Sequence, residues 1–136
     1  MRRWLVVRFL ALVATACSVS GTRATDEAVP LTGRWGGDHI ALTLTAAAGT
    51  LEYDCAHGGI SEALRPDAAG RVEARGVHVR EHGGPVREGE RPDSVAARYV
   101  GRVQGDRLEL SVFVGGDTLG PFELRRGAEA RLFRCL

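Results

Sequence analysis

Four histidines, His39, His57, His78 and His82, stand close in the chain to the carboxylates Asp38, Asp54 and Glu81. Imidazole beside carboxylate is the pairing of proton transfer and of metal ligation. The spacing speaks against one shared ion. On a strand His78 and His82 point to the same face but stand about 13 Å apart. No H-E-x-x-H run and no cysteine pair at finger spacing accompanies them. Ser61, Ser94 and Ser111 lack the glycine frame of a nucleophile elbow. No two carboxylates are singled out as a pair for glycosidic chemistry, and no glycine-rich loop opens a helix to cradle phosphate. The expectation is a non-catalytic chain with no metal and no cofactor.

Two segments concentrate binding chemistry. The run Val77 to Glu90, VHVREHGGPVREGE, gathers His78, Arg80, Glu81, His82, Arg87, Glu88 and Glu90 around a Gly-Gly-Pro turn. On the rim of a domain such a loop suits contact with a ligand or partner, although the same charges can simply neutralise one another and keep an irregular loop solvated. The second segment, Asp54-Cys55-Ala56-His57, would have His57 fixed in place if Cys55 were cross-linked. A reactive thiol at Cys55 assisted by His57 is the competing reading. With Arg34 and Trp35 near the start of the domain, the candidate binding residues are Arg34, Trp35, Asp54, His57, His78, Arg80, His82 and Arg87.

All 18 basic residues are Arg, and the chain has no Lys, no Asn and a single Gln104. This bias fits GC-rich codons, so it says little about nucleic acid. Beyond residue 16 the chain carries 15 Arg against 17 Asp plus Glu, a net charge of −2, with the signs interspersed. A phosphate-backbone binder needs a basic excess on one segment, so nucleic acid is excluded as a partner.

The N-terminus reads as an address. Arg2 and Arg3 precede the apolar Phe9 to Val13, then the small Ala14-Thr15-Ala16, then Cys17 and a polar run. The run Val13-Ala14-Thr15-Ala16-Cys17 resembles the lipobox of bacterial lipoproteins. That resemblance implies a signal peptide over 1–16, lipid on the sulfur of Cys17, a flexible tether over 17–30 and a folded domain over 31–136. It places the protein in the cell envelope, anchored to a membrane and facing the periplasm or the exterior. Ala14-Thr15-Ala16 also fits ordinary signal peptidase cleavage, and a second such site follows Ala24, so a soluble secreted or periplasmic protein is the alternative. The apolar run is shorter than the roughly 20 residues that span a bilayer, which disfavours an uncleaved anchor. With Cys17 taken by lipid or removed, Cys55 and Cys135 form an even pair, and an exported chain favours their disulfide.

Short alternating segments between glycine turns fill the domain. Ile40, Leu42 and Leu44 alternate with polar or small residues, as do Leu51, Tyr53 and Cys55, then Val72 and Ala74. His57-Gly58-Gly59 reads as a turn before a weak strand from Ile60 to Leu64. The apolar parity slips at Gly76 to Val77 and Val79, which predicts a bulge there. Glu81 to Asp93 holds Gly83-Gly84-Pro85, Gly89 and Arg91-Pro92, so it cannot be regular. Strands resume from Ala97 to Val103, turn at Gly105-Asp106 into Leu108 to Val114, and turn again at Gly115-Gly116-Asp117 into Leu119 to Leu124. A last strand is expected over Arg131 to Leu136. No segment holds a helical period. About eight strands with short connections predict an all-β fold, a small antiparallel up-and-down barrel.

Gly33-Arg34-Trp35 resembles the G-x-W signature that opens the first strand of lipocalins and other small calycin-like barrels. The resemblance implies that Trp35 closes one barrel end beneath an arginine from a late strand, Arg131 or Arg134 here. It also implies an apolar cavity, lined by residues such as Tyr99, Leu110 and Phe122, for a small apolar ligand or envelope component. Small secreted barrels with one disulfide also include inhibitors, so the alternative is an interaction protein that engages a secreted enzyme through the 83–93 loop. The anchor is directly testable: mass spectrometry of the wild-type chain from cells should show an acyl mass that Cys17→Ser lacks, and identical masses would leave an ordinary secreted protein.

Overall fold

The computed structural model describes residues 27–133 and 135, apart from Gly83 and Val86; the expected signal peptide, Cys17 and most of the expected tether therefore lie outside the described residues. Eight strands form the fold: β1 (Gly33–Gly37), β2 (Ile40–Leu44), β3 (Gly49–Tyr53), β4 (Ala56–Ile60), β5 (Arg71–Arg80), β6 (Asp93–Gln104), β7 (Arg107–Val114) and β8 (Asp117–Arg126). Each pairs antiparallel with its successor, and β8 returns to β1, closing an up-and-down barrel. The described residues contain no helix.

Period-2 alternation decides which side chains enter the barrel. Leu42 and Leu44, Leu51, Val72 and Ala74, Ala97 and Tyr99, and Leu108, Leu110, Val112 and Val114 are buried, whereas Thr43, Glu52, Glu73, Arg98 and Glu109 between them are exposed. Trp35 and Tyr99 are the largest fully buried side chains. Of the three residues expected to line a cavity, Tyr99 and Leu110 are packed core, and only the half-buried Phe122 borders a pocket.

The β1–β8 seam joins only Trp35 to Arg126, Gly36 to Arg125 and Gly37 to Leu124. Its lower end is plugged by the indole of Trp35, with the Arg126 guanidinium 4.3 Å above the ring centroid. The stacking arginine is thus Arg126; Arg131 instead grips Asp38 in a two-pronged ion pair, and Arg134 lies outside the described residues. Leu31 and Leu64 complete the plug, tied by the Leu31 N–H donating to Leu64 O at 2.8 Å.

The glycines correct the expected strand map. His57, Gly58 and Gly59 lie inside β4, with the turn one step earlier at Asp54-Cys55. A Cβ on Gly58 would collide with the Tyr99 hydroxyl, so this glycine serves close approach rather than reversal. No bulge occurs at Gly76. It pairs with Ala97 inside an unbroken β5–β6 ladder, and the inward line runs Val72, Ala74, Gly76, His78. Val77 therefore points outward and is 44% exposed, while His78 is 5% exposed. The register shift sits instead between Leu110 and Val112, where β7 faces β8.

The expected strand over 131–136 is replaced by a strap. After β8 the chain climbs the outside of β1, passing so close over Gly36 that a Cβ there would strike Ala128 O. It makes one parallel bridge, Asp38 with Arg131, and ends with Cys135 bonded to Cys55 across a Cα separation of 5.4 Å. The disulfide closes a loop of 80 residues in sequence, and loop-closure entropy of that length stabilises by roughly 4 kcal/mol.

Gly76 offers a clean test of the packing. Gly76→Ala has no room between Gly59 O and the Tyr99 ring, whose Cε2 would lie 2.9 Å away, so urea denaturation should show a loss of about 2 kcal/mol or more. Gly116→Ala, with no atom within 4 Å of the added Cβ, should stay within about 0.5 kcal/mol of wild type.

Candidate functional site

The upper mouth of the barrel, where β3 turns into β4 and β5 leaves for the long loop, holds a pocket of about 480 Å³. Tyr53, Leu119 and Phe122 supply its apolar floor, and His78, Arg80 and Asp54 contribute polar groups. Leu119 and Phe122 both face it because of the register shift. Phe122 pairs with Leu110 and Leu119 with Val112, so one extra β8 residue restores inward orientation to both. Tyr53 packs with its ring centroid 5.3 Å from His78 and 5.9 Å from Phe122.

Among the described residues His78 Nδ1 is buried with no hydrogen-bond partner, and the buried Tyr53 hydroxyl has only the Tyr99 hydroxyl beside it. The Tyr99 hydroxyl below them donates to Val77 O at 2.7 Å. Burial holds the His78 imidazole below its ordinary pKa, and the neighbouring positive charges of Arg80 and His57 push the same way against Asp93. The ring is therefore neutral at pH 7, with one nitrogen donating and one accepting. Burial raises the Tyr53 phenol, which keeps its proton and remains a donor.

The rim is stitched by histidine–carboxylate hydrogen bonds. His39 Nδ1 meets Asp54 Oδ2 at 2.5 Å, and Asp54 Oδ1 accepts the Phe133 N–H at 2.8 Å. That backbone bond, then His39, holds the Asp54 carboxyl below the usual range. His39 adopts a left-handed φ of 67°, and its ring lies 5.5 Å from that of Phe133. His57 Nδ1 bonds Glu81 Oε1 at 2.8 Å. Among the described residues Arg80 has only a long contact, 3.8 Å, to exposed Asp117.

The structure thus brings Asp54, His78 and Arg80 to one pocket, with His57 beside it through Glu81. His82 and Arg87 stay apart in the β5–β6 loop, where Glu90 accepts from His82 Nε2 at 2.7 Å and from the Arg87 N–H at 3.0 Å. Arg34 is exposed on β1 and Trp35 is buried core, so neither belongs to the mouth. Sequence reading missed Tyr53 and Leu119 as site residues; Tyr53 was legible as the continuation of Leu51, whereas Leu119 depends on the register shift. Among the described residues no group of three His, Cys, Asp or Glu side chains converges to hold a metal ion. The class defined by fold and site is a closed eight-stranded antiparallel barrel with a Trp–Arg plug below and an amphipathic mouth above. Comparison with family models, with curated proteins and with solved structures finds no match to this chain.

The lowered pKa of His78 makes stability pH-dependent with a definite sign. The unfolded chain, with an ordinary histidine pKa of about 6.5, binds a proton that the folded chain refuses. Stability is then complete above that pH and falls on acidification toward the folded pKa. Urea midpoints at pH 7.5 and 5 should show a drop in wild type that His78→Gln reduces; equal drops in both would remove His78 from the account.

Proposed function

We propose that this chain is an exported, lipid-anchored, non-catalytic binding protein that holds a small ligand in the upper mouth of its barrel. The observation that carries the reading is the unpartnered buried nitrogen His78 Nδ1 beside an apolar floor of Tyr53, Leu119 and Phe122. A buried polar atom without a partner costs free energy that a ligand's oxygen or nitrogen can recover. The pocket volume of about 480 Å³ falls in the range of small-molecule sites. The ligand chemistry follows from the lining. An apolar or aromatic body rests on Leu119 and Phe122, and the neutral His78 serves a donor or an acceptor. A carboxylate could extend to Arg80, the least engaged charge on the rim.

The packed interior argues that the ligand is shallow rather than engulfed. The leader supports delivery to the envelope, with the strap and disulfide placing Cys55 and Cys135 at the mouth. A second reading, an inhibitor acting through the 83–93 loop, draws support from Glu90, which pins His82 and the Arg87 backbone and so gives this charged loop a defined shape.

Binding of the fluorescent apolar anion 1-anilinonaphthalene-8-sulfonate to the folded full chain tests the first reading. Leu119→Arg should weaken binding at least tenfold with little change in melting temperature, and replacing residues 84–91 by a Gly-Ser linker should leave it intact. Probe binding that survives Leu119→Arg would rule out the mouth.

A further inference from the structure

A second concavity, of about 880 Å³, lies on the outer surface, between the strap and the outward faces of β6, β7 and β8. Its side chains are set by register. On β7 and β8, Arg107 stands directly opposite Arg125, and Glu109 directly opposite Glu123. Two like-charged pairs therefore sit side by side on one face. Like charges directly opposite across an antiparallel ladder are destabilising, and each pair would be relieved by exchanging one member with the other row.

None of these four side chains has an ionic partner within 4 Å among the described residues. Of the other charges around the groove, Arg102 stands opposite Glu109 on the β6 side but, like Glu129, has no ionic partner within 4 Å among the described residues. Arg131 and Asp38 hold each other in two hydrogen bonds, and Arg126 is engaged by Asp106 and Thr32 O. Gly36, opposite Arg125, leaves that side of the groove without a side chain.

We propose that this groove binds a small zwitterion, its anionic group between Arg107 and Arg125 and its ammonium between Glu109 and Glu123. Residues two apart on a strand share a face and lie about 7 Å from each other, so the two rows present opposite charge at the spacing of a short zwitterion. A simple anion attracted to the arginine row meets the glutamate row at that distance, and a simple cation meets the reverse. Only a ligand carrying both charges neutralises both rows. Between the two rows Leu108 and Leu124 turn their side chains into the core, so only their backbone borders the groove. This chemistry exists in the end groups of a dipeptide and in an ethanolamine phosphate headgroup. The site is remote from the mouth and does not depend on the reading given for it.

The test is a titration of the full chain, followed by backbone amide shifts, with alanyl-alanine, its N-acetyl form, its C-terminal amide and ethanolamine phosphate. At least one zwitterion should shift residues 107–109 and 123–125, and the blocked dipeptides should bind at least tenfold more weakly than the free one if the dipeptide is the binder. Which zwitterion binds identifies the source. Glu109→Gln/Glu123→Gln should abolish the preference for a free ammonium, and Arg107→Gln/Arg125→Gln the preference for the anion. Because Arg107→Gln/Arg125→Gln removes a repulsive contact, its melting temperature without ligand should hold or rise. Leu119→Arg at the mouth should leave this binding unchanged. No localised shift with either zwitterion, or equal binding of blocked and free dipeptide, overturns the proposal. So does a salt-sensitive dimer that uses this face without binding any probe, which would make a second copy, turned end for end, the occupant.

Discussion

The seam between β1 and β8 is the constraint on which the rest of the barrel depends. A closed barrel has no free edge only while its last strand stays on its first. Here that contact is three residue pairs, against ten between β5 and β6. So short a ladder cannot hold by its own hydrogen bonds, and the chain surrounds it. Arg126, at the end of β8, lies over Trp35 of β1 and also donates to Thr32 O at 2.8 Å. A partly desolvated cation–π contact of this kind contributes roughly 1–2 kcal/mol. The strap then crosses the outside of β1, and the disulfide ties its end to the β3–β4 turn. Seam, strap and cross-link form one device, and the bare Gly36 is where it fits together.

Both concave sites are consequences of that device. At the upper end, the strap brings the Phe133 N–H onto Asp54, which holds His39 across the rim. The mouth is therefore bordered by a fixed edge rather than by the loose ends of two hairpins. On the outer surface the same strap forms a wall beside β8, turning a flat ladder of alternating charges into a groove. The two differ in character because one opens from the inward faces and the other from the outward faces of the same strands. Phe122 and Glu123 are chain neighbours, yet the first borders the mouth and the second the groove.

Much of this fold was legible where the alternation was strict and the turns were short. The hairpins at Gly105-Asp106 and Gly115-Gly116, the irregular stretch before Asp93, the disulfide and the all-β barrel are all as the residues predict. Legibility failed where glycine serves packing. Gly58 and Gly59 look like a turn, but they lie in β4 because the Tyr99 hydroxyl needs the space of a missing Cβ. Gly76 resembles a bulge for the same reason: the apolar Val77 and Val79 suggested a slip in register, while the strand in fact keeps its parity and carries His78 inward. Asp54, His78 and Arg80 were recognisable as candidates by type. That they meet, and that Arg34, Trp35, His82 and Arg87 do not join them, depends on closure, which no local pattern encodes.

Stability alone would not choose histidine at position 78. The inward line of β5 begins Val72 and Ala74, and an apolar residue would continue it at no electrostatic cost. Instead a 5% exposed imidazole sits there with Nδ1 unpartnered among the described residues, beside the ring of Tyr53. Such a buried atom costs on the order of 1–3 kcal/mol, a large share of what a domain of this size has to spare. The tyrosine below shows that the fold can satisfy a buried hydroxyl, since Tyr99 reaches Val77 O. The orphaned nitrogen lies where the barrel opens, and a cost confined to the mouth belongs with what the mouth receives rather than with how the core packs.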